Sequence, residues 1–301
     1  MKTTPFLTGF LVAVTVTGLL FSSCKKHDDA SGTAGREEFA IMSAQSDAAA
    51  EQVFEDVFDN TMGVSPEVGI GGTGVFGRVA VSPGSTNRLE GIDSTTCYSV
   101  AFKQLNPATR FPLQITIDFG SGCTARDGRT RKGKIIIVYT GHLFVPGNSA
   151  TATFDGYYLD NTKVEGTHKL TNSGTQDKKS YTTQVINAKL SQGNGNYVTW
   201  NSEKTVTQTE GGATPLIGLD DVYSITGQST GSVQIDGKYF QWSTVITTPL
   251  TKKFSCRWIS RGTLSLMKGN DTVAMLDYGS GTCDNKASFS VNGQVQEITL
   301  H

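Results

Sequence analysis

From about residue 95 onward, apolar and polar residues alternate with period two, and turn signals interrupt them at short intervals. The alternation is clear in Gln114-Ile115-Thr116-Ile117-Asp118-Phe119 and in the stretches Thr151 to Leu159, Tyr181 to Leu190 and Val222 to Ile225. It returns at Tyr239 to Thr248, Thr263 to Met267 and Ala287 to Val291. Between these runs stand Asp127-Gly128, Asp155-Gly156, Gly193-Asn194-Gly195-Asn196, Gly211-Gly212, Asp236-Gly237, Gly269-Asn270 and Asn292-Gly293. Successive side chains of a strand point to opposite faces, so the pattern buries one face of a sheet and wets the other. Strands joined by turns this short run antiparallel. About ten to thirteen strands in one meander have to curl or close. The expected fold is therefore mainly β: an antiparallel meander forming a curved sheet or half-open barrel, with a two-sheet β-sandwich as the alternative. Lys134-Ile135-Ile136-Ile137-Val138-Tyr139 departs from the alternation and is expected to be central and covered on both sides.

One stretch within this pattern occurs twice. Cys97 precedes Asp118-Phe119-Gly120-Ser121-Gly122 and then Cys123; at the same interval Cys256 precedes Asp277-Tyr278-Gly279-Ser280-Gly281, with Thr282 inserted before Cys283. Each copy, about 97–141 and 256–300, reads as a hairpin followed by a further strand.

The N-terminus states a destination. Lys2 is followed by a largely apolar, uncharged run from Phe6 to Phe21 and by Ser22-Ser23-Cys24. The run is short for a membrane-spanning helix of about 20 residues and fits a cleavable export signal, residues 1–23. Phe21-Ser22-Ser23-Cys24 resembles the lipobox of bacterial lipoproteins, in the loose form found in Bacteroidota, where Cys-Lys-Lys and then acidic residues follow, as Lys25, Lys26, Asp28 and Asp29 do here. Phe21 replaces the usual leucine. The resemblance implies that Cys24 carries the lipid, and that the protein is attached to the cell outer membrane facing the periplasm or the surface. Residues 24–42, small and polar, are expected to be a flexible tether, leaving 43–301 as one β-rich domain.

Setting Cys24 aside leaves four cysteines in a compartment where disulfides persist. A hairpin folded at Gly269-Asn270 pairs residues whose numbers sum to 539, as those of Cys256 and Cys283 do. In the first copy the same arithmetic needs a turn centred on Arg110. Cys97–Cys123 and Cys256–Cys283 are thus favoured over the other two connectivities. With no Cys-x-x-Cys spacing, zinc is not expected.

Ala49, Val53, Phe54, Val57, Phe58 and Met62 recur at helical spacing, with Glu51, Glu55, Asp56 and Asp59 on the other face. One amphipathic helix from Ser46 to about Met62 is expected to cover the sheet, with Ser46 as N-cap and Asp47 in the first turn. Gly69-Ile70-Gly71-Gly72-Thr73-Gly74 matches the dinucleotide fingerprint letter for letter but follows a helix, so it reads as a flexible glycine loop and no cofactor is expected.

Formal charge is −1, which gives no general attraction to nucleic acid. His142 and His168 read as sheet-surface residues. Asp118 and Asp277 could pair as catalytic carboxylates, but an Asp before such a turn ordinarily bonds its backbone, and no catalytic residue is assigned. Trp200, Trp242 and Trp258, with Tyr157, Tyr158, Tyr223 and Tyr239, lie on expected strands, where aromatics ordinarily belong to the core; stacking on sugar rings is the alternative. Arg126, Arg129, Arg131, Lys132 and Lys134 read as a solvated loop or a contact for an anionic polymer or lipid headgroup. The chain as a whole is similar to secreted lipoproteins of Bacteroidota, a resemblance that carries no activity. The expectation is a lipid-anchored binding or structural module with the membrane, and a glycan or envelope polymer, as partners. A hydrolase of such a polymer would need carboxylates, or a histidine and a carboxylate, converging in a cleft. A lipid or acyl-chain carrier would need an apolar cavity that the helix does not fill.

Overall fold

The computed structural model describes residues 30–76, 97–125, 127–175, 178–214 and 220–300; the expected signal, Cys24 and Arg126 lie outside them. The chain opens with helix α1 (Ala30–Gly63), followed by a 3-10 turn at Gly74–Phe76. Next come strands β1 (Ser99–Gln104), β2 (Leu113–Asp118), β3 (Cys123–Thr124), β4 (Thr130–Tyr139), β5 (Ser149–Leu159), β6 (Thr162–Asn172) and β7 (Ser180–Ser191). The rest are β8 (Tyr197–Glu210), β9 (Val222–Ile235), β10 (Lys238–Lys253), β11 (Ile259–Lys268), β12 (Asp271–Ser280), β13 (Lys286–Val291) and β14 (Gln294–Thr299).

All fourteen strands belong to one antiparallel sheet in chain order, with the two-residue β3 paired beside β2 on β4. The meander is the expected one, and the sandwich alternative is excluded because the ladder never divides into two sheets. Among the described residues β1 pairs only with β2 and β14 only with β13, so the sheet does not close into a barrel. Its curvature shows in what the helix touches. α1 contacts β5, β6 and every strand from β8 to β12, and its side chains also reach Arg131 on β4 and Gln296 on β14. The sheet is wrapped around the helix.

Enclosure explains why α1 is longer than its amphipathic segment suggests. Residues 30–42, expected as tether, are helical, and Phe39 and Ala40 are buried. Phe39, Ala40, Ser43, Ala44 and Asp47 lie at three- and four-residue spacing among good helix formers and are buried together. Most are small or polar, so their periodicity is faint in a hydropathy reading. Ser46 and Asp47 consequently stand in mid-helix, both buried, rather than at the N-terminus.

The helix stops against the glycine-rich segment, which is a tight cap and not a flexible loop. Gly71 and Gly72 donate backbone N–H groups to the carbonyls of Met62 and Gly63 at 3.0 and 2.8 Å. Thr73 Oγ1 donates to the Asp59 carbonyl at 2.7 Å, and Asn60 Oδ1 accepts from Val75 N at 2.8 Å. The first three bonds satisfy backbone carbonyls at the helix end, and the fourth ties Val75 to the last turn. A Cβ on Gly69 would collide with the Met62 carbonyl, so the close approach requires glycine there.

Most expected turns stand where their residues predict them. Asp236 and Gly237, like Asn292 and Gly293, adopt the paired positive φ of two-residue hairpin turns. Asp155-Gly156 does not turn. It lies inside β5, where the register with β4 and with β6 shifts, and the chain reverses instead at Asp160-Asn161, both at positive φ. Glycine there serves a bulge. Ile135, Ile137 and Tyr139 of β4 face inward while Ile136 and Val138 stay half-buried on the outer face, so that strand is not covered on both sides.

The cysteines pair as expected: Cα–Cα is 5.2 Å for Cys97–Cys123 and 5.8 Å for Cys256–Cys283. The path differs in detail. In the second copy the sum of 539 holds next to the turn (Lys268↔Asp271) and drifts to 541 at Arg261↔Ser280 through two register shifts. In the first, Ser99↔Asp118 and Gln104↔Leu113 centre the turn between Ala108 and Thr109 rather than on Arg110. Cys123 is brought back to Cys97 by the Phe119–Gly122 bend.

The helix–sheet junction is apolar around Phe54, which stacks on Trp200 with centroids 5.7 Å apart and meets Phe154 edge-on at 6.2 Å. Phe54→Ala is expected to lower the free energy of unfolding by about 3 to 5 kcal/mol, the range for deleting a buried aromatic. A chemical denaturation midpoint equal to that of the wild type would mean the helix is not part of the core. A second junction is polar: Asp47 Oδ1 accepts from Trp200 Nε1 at 2.8 Å, Ser229 Oγ at 2.7 Å and Trp242 Nε1 at 3.1 Å. Asp47→Ala strands those donors in the core and is expected to cost about 2 to 5 kcal/mol by the same measurement.

Candidate functional site

Below Asp47, the helix presents acids to cations of the sheet. Glu51 pairs with Lys204 of β8; Glu55 and Asp59 face Lys252 of β10 at 3.5 and 4.0 Å. Arg131 of β4, fully buried, takes Asp56 at 2.5 Å and Asp127 at 2.6 Å. The helix face expected to be solvated is thus turned into the concave side of the sheet. Hydropathy cannot distinguish an acid facing water from one facing a buried lysine. The strands bring the cations inward by phase alone: Lys204 alternates with Ser202 and Val206, and Lys252 with Leu250, on the buried side.

A cavity of about 40 Å³ remains between these pairs, walled by Phe54, Phe58, Trp200 and Tyr223 and bordered by His168. His168 is 3% exposed, and its Nδ1 finds no hydrogen-bond partner among the described residues. Burial pushes its pKa down to about 4, so the ring is neutral. Burial pushes the Asp59 carboxyl up to about 7 against the pull of Lys252, with Glu55 and Asp56 adding to the rise. Glu51 is also raised by burial, with Lys204 opposing. For Lys252, burial works against the charge, but Glu55 and Asp59 outweigh it and the pKa goes up. Proton exchange among these groups is chemically possible. The space admits a small number of water molecules and neither an acyl chain nor a polymer.

The other sequence-derived candidates are dispersed. Trp200 and Trp242 are 1% and 3% exposed and bonded to Asp47, which corrects their assignment as ligand-stacking residues. Their indoles faced the core because the strand phase that exposes Tyr197 and Tyr239 buries Trp200 and Trp242. Trp258 is half-buried with Arg257 4.6 Å from its ring. Tyr157 and Tyr223 point inward, whereas Tyr158 and Tyr239 lie on the outer face. Asp118 and Asp277 each accept the backbone N–H of the glycine two residues on, at 2.9 and 2.8 Å, with eight strands between β2 and β12 in the ladder. They are turn-formers in both copies. His142 bonds the Pro66 carbonyl at 3.1 Å from the surface, while His168, expected beside it in role, is in the core. The basic cluster divides by strand phase: Arg129 and Arg131 are buried, Lys132 and Lys134 face out. Among the described residues no three His, Cys, Asp or Glu side chains gather as metal ligands, and no helix is long and apolar enough to cross a membrane.

No protein-family model, no curated protein and no solved structure matches this chain.

The interior titrations have opposing signatures. Between the usual aspartate value near 4 and about 7, the folded chain keeps a proton on Asp59 that the unfolded chain has released, so stability falls as pH rises. Between about 4 and the usual histidine value of 6.5, the unfolded chain holds a proton that buried His168 does not, so stability rises with pH. The two slopes offset one another over their shared window. Relative to the wild type, Asp59→Asn is expected to make thermal stability climb more steeply from pH 4.5 to 6.5, and His168→Leu to make it fall. Unfolding curves at the two pH values, parallel for all three proteins, would show that neither group titrates as its burial requires.

Proposed function

We propose that this chain is a lipid-anchored module of the cell envelope that acts by binding or scaffolding through the outer surface of its sheet, rather than by catalysis or by carrying a lipid inside. The observation that carries this reading is the seat of the helix: α1 occupies the concave side against β5, β6 and β8 to β12, and the cavity among its ion pairs measures about 40 Å³, while the roomier recess, about 550 Å³, lies open at the β1–β2 end beside Phe102 and Arg110. Of the groups a hydrolase would need, His168 is buried, and Glu51, Glu55 and Asp59 are half-buried and tied to Lys204 and Lys252 around a space of about 40 Å³, too small for a polymer. An acyl chain seated along Phe54 and Trp200 would have to displace α1 and break its ion pairs with Lys204, Lys252 and Arg131. The largest available surface is the outer face, alternating with the core along every long strand.

The anchor rests on Phe21-Ser22-Ser23-Cys24 behind an apolar run. A thioether-linked diacylglycerol and an amide-linked acyl chain on Cys24 would hold it stably, each buried CH₂ contributing about 0.8 kcal/mol. Cys24 and Ala30 are six residues apart in sequence, a reach of at most about 20 Å, so an anchored body would stay close to the bilayer. The outer membrane is the proposed location. Cys24→Ala is expected to abolish lipid incorporation and either free the protein from washed membranes or leave its signal uncleaved. Membrane retention and an N-terminus both unchanged by the substitution would remove the anchor from the model.

A further inference from the structure

Strand registers place three tyrosines in one line on the outer face. Lys132 on β4 stands opposite Tyr158 on β5, which stands opposite Lys163 on β6. The line continues through Ser191 on β7 to Tyr197 on β8, and through Gln234 on β9 to Tyr239 on β10. It crosses seven adjacent strands just inside the turns of the β5–β6, β7–β8 and β9–β10 hairpins. At about 4.8 Å per strand it is roughly 29 Å long. No carboxylate interrupts it. Tyr239 is 57% exposed, and Tyr158 and Tyr197 are half-buried. Lys132 Nζ lies 3.8 Å from the Tyr158 ring centroid, and Lys189, one row further in, lies 4.6 Å from that of Tyr197. Acids lie near it: Glu165, opposite Lys189 in the β6–β7 register, pairs with Lys163 at 2.7 Å, Asp236 accepts from Asn196 at 3.4 Å, and Asp155 stands opposite Lys134.

We propose that this tyrosine–lysine row binds an extended acidic polysaccharide laid across the strands. The proposal rests on the reading of the chain as a binding module and names its partner class. Tyrosine rings offer flat faces to the C–H side of sugar rings, Ser191 and Gln234 between them offer hydrogen bonds to hydroxyls, and Lys132 and Lys189 supply counter-charge to uronate carboxylates. Each ring that carries an ammonium on one side brings stacking surface and positive charge to the same spot. The line is one side chain wide and many strands long, which matches a linear polymer. A lipid surface calls for a broad patch with aliphatic side chains to insert, and the row has none.

The test is native gel electrophoresis of the full-length chain in detergent, through gels containing polygalacturonate or, as the neutral control, dextran. Retardation by polygalacturonate and not by dextran is expected, weakening with salt. The double variant Tyr197→Ala/Tyr239→Ala is expected to bind roughly fivefold to tenfold more weakly, as is Lys132→Gln/Lys189→Gln. All four side chains lie on the outer face, and far-ultraviolet circular dichroism verifies that the fold is kept. An unretarded wild type, equal retardation by dextran, or variants that bind as the wild type does would each overturn the proposal. So would a preference for anionic over zwitterionic vesicles that Lys132→Gln/Lys189→Gln abolishes while polygalacturonate has no effect, which would assign the row to a lipid surface. None of these outcomes bears on the attachment through Cys24, which is read separately.

Discussion

A single carboxylate oxygen, Asp47 Oδ1, receives two indole N–H groups and a serine hydroxyl in the middle of the core. Those donors come from β8, β9 and β10, three adjacent strands at the centre of the enclosing sheet. The helix is lined there by small residues, Ala40, Ser43, Ala44 and Ala50, which pack closely but define position poorly. Glu51, Glu55 and Asp59 repeat every four residues, so a one-turn slip of α1, about 5.4 Å, would still set acids opposite Lys204 and Lys252. Asp47 forbids that slip, because Glu51 in its place would bring one methylene too many between Trp200 and Trp242. Asp56, out of phase with the acidic repeat and bound to the buried Arg131, blocks it a second time. Axial register therefore comes from two specific polar contacts and not from the number of ion pairs.

The same contacts explain how an open sheet keeps its curvature. A meander of this length with unpaired edges has no ladder closing it, and a hydrophobic plug alone would hold it without direction. Buried charges are costly unless matched, and losing one partner leaves the other stranded. Cations on β4, β8 and β10 each need their acid on α1, so the sheet is held at several points around the helix at once. The disulfides act elsewhere: one secures the entry into β1 and β2, the other the loop before β11 to the end of β12. Because the interior is committed to these contacts, the surface that can meet a partner is the outward phase of the strands. Interior and exterior thus divide the polar chemistry of the molecule, with Asp59 and His168 inside and the tyrosines and lysines outside.

The period-two pattern, the turn dipeptides and the cysteine spacing determined the class of fold, the antiparallel order and the disulfide partners, because all three depend on local geometry. The length of α1 was hidden by its small residues, and the bulge at Asp155-Gly156 looked like a turn because glycine at positive φ serves both. The apolar phase marked the core side of strands such as β2, whereas tertiary structure decided it where polar or charged residues share the inward phase. That choice buried Trp200 and Trp242, drew Arg131, Lys204, Lys252 and His168 inside, and aligned Tyr158, Tyr197 and Tyr239 on one line. Alternation marks two faces strand by strand because side chains point in turn to either side, whereas the pairing of β4 through β10 and the seat of the helix determine which residues of different strands share a line.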